Sequence, residues 1–363
     1  MKKLLKKPIA FFSLIIIILL YLSMIFAEFL SPYRADTVFK EHPYHPPALI
    51  FYSKKYGFTP QVQNRVLIDE LSHKYGRIKD EYYKVSFFVR SVDYKILGII
   101  KTNIHLFGIK APYDSSGFRF IDGGGGKDYP IFIFGSDHLG RDIFSRILYG
   151  SRISLTIGFI GITISLLLAI IFGGLAGYYG GFVDWLIMRL SEFFILIPGL
   201  YLILFLRSIL SRDLDSGQSY MIITIILSFV GWPSSARLIR GMVHSIKRED
   251  YVTNSMLESI PSIVIIFRDI IPQISSILIV SVALGIPGFI LGETILSYLG
   301  LGIVDPAVSW GSMINRDVTS LNNLKNYSWF IIPGIYLIVT TLAFNFLGDF
   351  LRDYFDPYNK DLS

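Results

Sequence analysis

MKKLLKKPIAFFSLIIIILLYLSMIF, residues 1–26, sets four lysines against an apolar run from about Ile9 to Phe26. A run of that length crosses a ~30 Å hydrocarbon core as a helix. Backbone polar groups in lipid must be satisfied within their own segment, so helix is the form such a run takes. A cleaved signal peptide would carry a shorter apolar region ending in an Ala-x-Ala-like site. Here FAEFLSPY follows, and an uncleaved anchor is expected. The lysines hold its N-terminus in the cytoplasm.

The rest of the chain agrees with this reading. Of 363 residues, 52% are hydrophobic and only 17% charged, which is too apolar for an ordinary soluble domain. The sequence has no cysteine, so disulfides, thiolate nucleophiles and cysteine metal ligands are excluded. The net charge of +6 fits Lys and Arg gathered in cytoplasmic loops, and no nucleic-acid partner is expected. Further apolar runs lie at about 153–177, 185–206, 219–239, 274–297 and 329–348. The predicted fold is an all-α polytopic membrane protein with six transmembrane helices, N-terminus in and C-terminus in. The loop between spans four and five is then cytoplasmic, and it carries Arg237, Arg240, Lys247, Arg248 and Arg268 as the positive-inside rule requires.

Between spans one and two, residues 31–133 are rich in Tyr, Lys, Asp and Pro. Long segments translocate regardless of charge, so an extracytoplasmic position is expected. VLIDELSHKYGRI (66–78) has the pattern of a helix, while KVSFFVRS and YKILGII have that of strands. The prediction is a small α/β insertion. GGGGK (123–127) lacks the spacing and the Ser/Thr of a phosphate loop and reads as a turn. His42 and His45, in HPYHPP, read as solvated loop histidines without a third metal ligand nearby. No HExxH, paired-carboxylate or Ser-His-Asp pattern stands out, so neither an enzyme nor a metal or cofactor is expected.

Charge inside an apolar run needs a physical reason. Arg189 and Glu192 stand three apart on one helix face and are read as a buried structural ion pair rather than a substrate site. Glu293, in IPGFILGETILSYLGLG, lies either in the bundle interior or near the outer surface. Pro198 and Pro287, each beside a glycine, mark positions where a span bends; bent spans line gated pathways, and ordinary kinks explain them as well.

The charged passage HSIKREDYVTNSMLESIPSIVIIFRDIIP (244–272) interrupts two apolar stretches. Arg248, Glu249 and Asp250 open a helix in which Tyr251, Val252, Met256, Leu257 and Ile260 are spaced to form one apolar face. A second helix is predicted over about Ser262 to Ile271, leading to Pro272. An apolar stripe on a surface helix needs a partner: the protein's own spans, the membrane interface or another protein.

This passage resembles the cytoplasmic loop of binding-protein-dependent ABC importer permeases, in the form Tyr-Val-Glu-Ala-Ala, three residues, Gly, then Ile-Phe-Arg and Ile-Leu-Pro. Tyr251, Val252, Ile266, Phe267, Arg268, Ile270 and Pro272 fall on that pattern without a gap. FGSDHLGRDIFSRILYGSRISL (134–155), GYYGGFVDWLIMR, ILGETILSYLGLGIVDPAVSWGSM and NFLGDFLRDYFDPY resemble further blocks of the dipeptide and oligopeptide branch, its second or C-type permease. The domains this implies are an N-terminal tail with helix 1 (1–30), the insertion (31–133), a permease core (134–358) containing the coupling loop (244–272), and a tail (359–363). The resemblance implies a permease subunit that pairs with a second, homologous permease. Two ABC ATPase subunits would power it and an extracytoplasmic binding protein would deliver di- or oligopeptides, in a prokaryotic cell membrane whose lipid surrounds the spans. ATP hydrolysis would sit on the partner subunits, because this sequence has no nucleotide-binding loop. The same machinery importing a nickel complex or an oligosaccharide, or an ATP-independent secondary transporter, are the alternative readings. ATPase coupling is carried over to Tyr251, Val252, Thr253, Asn254, Leu257, Glu258 and Ser259. Thr253, Asn254 and Ser255 replace Glu-Ala-Ala, and Ser259 replaces the turn glycine. Serine enters the left-handed region less readily than glycine, so a different turn is expected.

Overall fold

The computed structural model describes residues 7–54, 57–70, 72–96, 99–109, 130–209, 215–318 and 321–356. GGGGK (123–127) and the tail 359–363 lie outside the described residues. In chain order the helices begin with α1 (Pro8–Ile25), α2 (Ala27–Leu30), α3 (Ile143–Tyr179), α4 (Gly181–Leu196), α5 (Gly199–Ile209) and α6 (Ser216–Ile246). They continue with α7 (Asp250–Leu257), α8 (Ser262–Ile265), α9 (Ser275–Tyr298), α10 (Trp310–Asp317), α11 (Leu321–Asn326) and α12 (Ile332–Phe355). The strands β1 (Leu49–Ser53), β2 (Gly57–Asp69), β3 (Lys74–Ile96) and β4 (Ile100–Ile109) fall between α2 and α3. The chain divides into two compact units, one of residues 1–17, 155–296 and 339–363 and one of 18–154 and 297–338.

Five helical stretches among the described residues are long and apolar enough to cross a membrane: Pro8–Ile25, Ile143–Tyr179, Ser216–Ile246, Ser262–Tyr298 and Ser328–Phe355. The run predicted as one span at 185–206 is instead two helices, α4 and α5, interrupted at Ile197 and Pro198. The proline ring crowds the residue before it out of the helical region, and Ile197 accordingly sits at φ −81°, ψ 122°. Pro287, by contrast, lies within α9, which continues through it without interruption. Neighbouring helices and local adjustment can accommodate an internal proline in an apolar span.

The first unit is organised around α3 and α6. Gly173 and Gly177, four apart on α3, let the α6 backbone come close: a Cβ at these positions would lie 2.5 Å from the Ala236 carbonyl oxygen and 2.6 Å from that of Arg240. Small residues at this spacing are the usual means of close helix approach where lipid offers no hydrophobic driving force. Leu166, Ala169, Ala176, Trp232, Ala236, Ile239 and Val243 form the buried core there. At the other end of the chain, Ala10, Phe11 and Leu14 pack on Leu347, Phe350 and Leu351, and Lys7 Nζ donates to Asp353 Oδ2 at 2.8 Å.

The second unit holds an antiparallel meander in the order β1-β2-β3-β4. Its core is Ala48, Val62, Val85, Phe107, Ile109 and Ile131. The α/β expectation for the insertion is corrected: its described residues contain strands and no helix. VLIDELSHKYGRI folds as a hairpin, pairing Val66 with Gly76, Leu67 with Tyr75 and Asp69 with Lys74. Asp69 captures Ser72, whose Oγ donates to Asp69 Oδ2 at 2.5 Å, and His73 takes a left-handed φ of 47°. Local Asx capture and cross-strand pairing override the helical spacing, as tertiary context commonly does for a short segment.

Candidate functional site

Helix α7 begins after a turn in which Glu249 N–H donates to the Ile246 carbonyl at 3.0 Å, and Asp250 lies in its first turn, where the macrodipole favours an acid. The predicted single apolar face is in fact two faces. Val252 is fully buried, joining Ile265, Ile266, Ile270 and Ile274 in the core of the first unit, with Met256 and Ile260 partly buried against them. Tyr251 and Leu257 point the other way, and Leu257 is 78% exposed. At 100° per residue, 252 and 256 fall in one sector, while 251 and 257 lie about 100° to either side of it; Ile260 joins the buried side from beyond the turn. Thr253, Asn254, Glu258 and Ser259 are exposed as well. Burial and the neighbouring carboxylates of Glu249 and Asp269 raise the Tyr251 pKa, so its phenol is neutral and able to donate a hydrogen bond.

The end of α7 departs from the expected difference in turning. Ser259 adopts φ +59° despite its Cβ. Two bonds account for it: Ser259 N–H donates to the Met256 carbonyl at 3.0 Å and Ile260 N–H to the Ser255 carbonyl at 3.2 Å. That is the double closure of a Schellman motif with serine where glycine is usual. Beyond Pro261 the chain is helical again, and it does not stop at Pro272 as predicted. Residues Ile266–Ile270 widen to a π-helix, Ile271–Ile274 tighten to a 3-10 helix, and the path runs on into α9. Pro272 removes a donor and would clash with the carbonyl four residues back, and the widened turn accommodates it. Arg268 Nη2 donates to Ser255 Oγ at 3.4 Å, tying this segment to α7.

The other singled-out residues fall apart from α7. Arg189 Nη1 donates to Glu192 Oε2 at 2.7 Å, and Arg237 approaches Glu192 at 3.5 Å; the Arg189–Glu192 pair is exposed on this chain rather than buried. Glu293 is fully buried and Pro287 is buried, whereas Pro198 is exposed at the α4–α5 break. Reading the sequence missed the Asp184–Arg240 pair, in which Arg240 Nε donates to Asp184 Oδ1 at 2.8 Å. It joins the start of α4 to α6 just before α7. Its only sequence signal is an acid in the turn GYYGGFVDW and a base in a separate run, which linear spacing cannot pair.

Asp137, His138 and Asp317 bring three potential metal ligands within 4.8 Å of one another. Cations of the protein already fill that place. Asp137 accepts from Arg141 Nε at 2.6 Å and from the backbone of Leu139 and Arg141, with Arg146 at 3.7 Å, and His138 Nδ1 lies 3.1 Å from Asp317 Oδ1. A buried arginine beside a carboxylate satisfies the same charge that a metal would. His45 is also corrected: it is buried, not solvated, and burial first, then His42, lowers its pKa to about 3, so its ring is neutral. Asp142 caps α3, accepting from Ser145 N–H at 2.8 Å, and burial pushes its pKa up to about 7.

Residues 169–360 match the family of binding-protein-dependent transport system inner membrane components, and residues 1–47 match the N-terminal TM domain of oligopeptide transport permease C. Residues 48–168 lie between the two matches. The chain is 37% identical over 225 residues to the dipeptide transport system permease protein DppC of Bacillus subtilis, covering 62% of this chain and 68% of that protein. It is 35% identical over 228 residues to the oligopeptide transport system permease protein OppC of Haemophilus influenzae, covering 62% and 70%. It is 33% identical over 249 residues to the glutathione transport system permease protein GsiD of Pectobacterium atrosepticum, covering 69% and 80%.

Proposed function

The chain belongs to the ABC importer permeases of the binding-protein-dependent family, in their dipeptide and oligopeptide branch, and from that premise we propose that it forms half of a peptide pathway driven by ATP. Its partner in the membrane is a second, homologous permease. An extracytoplasmic binding protein delivers di- or oligopeptides to the outer side, and two ATPase subunits supply closure from the cytoplasm of a prokaryotic cell. Six crossings, with α4 and α5 in series as the third, return both termini to the cytoplasm and leave α7 there. Pro198 and Pro287 serve gating, and Glu293 belongs to the pathway.

The observation that carries this reading is the two-faced α7. Val252 is sunk in the bundle core while Tyr251 and Leu257 stand outward on the same two-turn helix. Force applied to the outward face reaches the spans through a packed side chain, and packed interiors transmit displacement because they do not compress. Tyr251, Thr253, Asn254, Leu257, Glu258 and Ser259 form the surface that the ATPase takes. The named cargoes of the relatives, dipeptides, oligopeptides and glutathione, favour a peptide over a metal complex or a sugar.

The test is uptake of labelled peptides into proteoliposomes holding the full complex, with and without ATP inside. ATP-dependent uptake is expected. Leu257→Asp should keep the permease folded, release the ATPase on purification and abolish uptake. Uptake that proceeds without ATP, or an ATPase that stays bound and coupled in the Tyr251→Ala, Leu257→Asp double variant, would overturn the proposal.

A further inference from the structure

The β3–β4 hairpin ends in an unusual sequence for a sheet displayed to water: Tyr94-Lys95-Ile96-Leu97-Gly98-Ile99-Ile100-Lys101. The Ile99 N–H donates to the Ile96 carbonyl at 3.0 Å and closes the tip. Ile99 and Ile100 are 81% and 63% exposed. Lys95 pairs directly with Lys101 and Ile96 with Ile100. Like charges facing each other across a strand pair are destabilising unless something negative lies beside them. Among the described residues neither lysine has an ion-pair partner.

The position of this tip is fixed by what it touches. Ile96 lines one apolar groove together with Leu19, Leu22, Phe26 and Phe29. Leu19 and Leu22 belong to the apolar run of α1, below its end at Ile25. Among the described residues, the only polar side chain on the groove is Ser23, whose Oγ donates within its own helix to the Leu20 carbonyl at 2.8 Å. Higher up, His105 Nδ1 lies 2.7 Å from the Ser31 carbonyl oxygen, and the Phe29 and Phe88 rings are 6.3 Å apart. From His105 to Ile100 the strand descends about 17 Å. From Leu30 back to Leu22 the chain runs through α2, the Phe26 turn and the last turn of α1, roughly 12 Å at helical rise. Ile96, paired with Ile100, is the contact that sets the tip beside Leu19 and Leu22.

We infer that the β3–β4 tip is a membrane anchor: Ile96, Ile99 and Ile100 insert among the acyl chains of the leaflet at the C-terminal end of α1, while Lys95, Lys101 and Tyr94 lie at the headgroups. The lipid phosphates supply the negative charge that the facing lysines lack. Aromatic and basic residues flanking a short apolar segment are the ordinary composition of an interfacial anchor. Leu19 and Leu22, which line the groove, are exposed on α1, so a bilayer surrounding that helix would cover the tip as well. This inference stands on α1 crossing the membrane and is independent of the cargo and the ATPase.

The chain has no native cysteine, so a single label can be placed without other changes. Full-length Ile99→Cys, and separately Ile100→Cys, would carry an environment-sensitive fluorophore in nanodiscs containing anionic lipid. Ser72→Cys, in the turn between β2 and β3, serves as the water-exposed reference. Iodide quenching about fivefold weaker at 99 and 100 than at 72, with strong quenching by lipids spin-labelled on the upper acyl chain, is the expected result. Equal iodide quenching at all three sites would overturn the inference, and so would protection from both quenchers, since protein and not lipid would then cover the tip.

Discussion

Two polar interruptions of this apolar chain, the segment around α7 and the sheet of β1 to β4, are built in opposite ways. The α7 segment has no core of its own; Val252 and the isoleucines of 265–274 are part of the core of the helical unit. The sheet has a separate core in Val62, Val85 and Phe107. A segment without its own core follows the bundle it is rooted in, whereas one with its own core keeps its shape. The first design suits transmission and the second suits display.

The contrast can be broken most directly at the two buried valines. Val252→Asp places an unpaired charge in the bundle core and should cost more than about 3 kcal/mol, with hydrogen exchange accelerating in α3, α6 and α9 together. Val62→Asp should cost a comparable amount, yet accelerate exchange only in the strands. Exchange spreading through the helices of both variants would end the distinction.

The helix starts differ as well. Glu249 makes no side-chain cap bond for α7, whereas buried Asp142 caps α3. Burial raises the Asp142 pKa from its ordinary 3.8 to about 7, so its contribution to stability is complete below about pH 4 and is lost as pH rises through 7. That contribution is at most about 4 kcal/mol. Asp142→Asn keeps an acceptor for the cap and removes the titration, so its melting temperature should fall less than that of the parent between pH 4 and pH 8. An unchanged pH profile would locate the titrating group elsewhere.

Ser259→Gly relieves a left-handed serine and should stabilise by about 1 kcal/mol, read as a rise in melting temperature. A loss of stability would mean that the serine Cβ is needed. The smallest effect belongs to the exposed pair on α4: Arg189→Ala should change stability by less than about 0.5 kcal/mol in the isolated chain. A larger loss appearing only in the assembled complex would place that pair at a subunit contact.

Membrane class, the long apolar helices and the position of α7 were legible because each rests on local composition and period. The faces of α7 were misread where Tyr251 and Leu257 were grouped with Val252, although a helical wheel separates them; apolar character alone does not say which side is buried. The hairpin at 66–78 was hidden because its pairing partners decide it, not its own spacing. Ser259 was read by propensity, and two backbone hydrogen bonds outweighed the preference. Asp184–Arg240 and the Asp137–Arg141–Arg146 cluster are pairings made by the fold, with no signature in either sequence neighbourhood.

The break between α4 and α5 has a consequence for hydration. A helix end leaves its last carbonyls without intrahelical donors, and at Ile197–Pro198 the chain supplies no proline N–H to take one of them. Acyl chains cannot solvate such oxygens. With α4 and α5 crossing in series as proposed, the side on which this break lies must be wet or covered by another polypeptide.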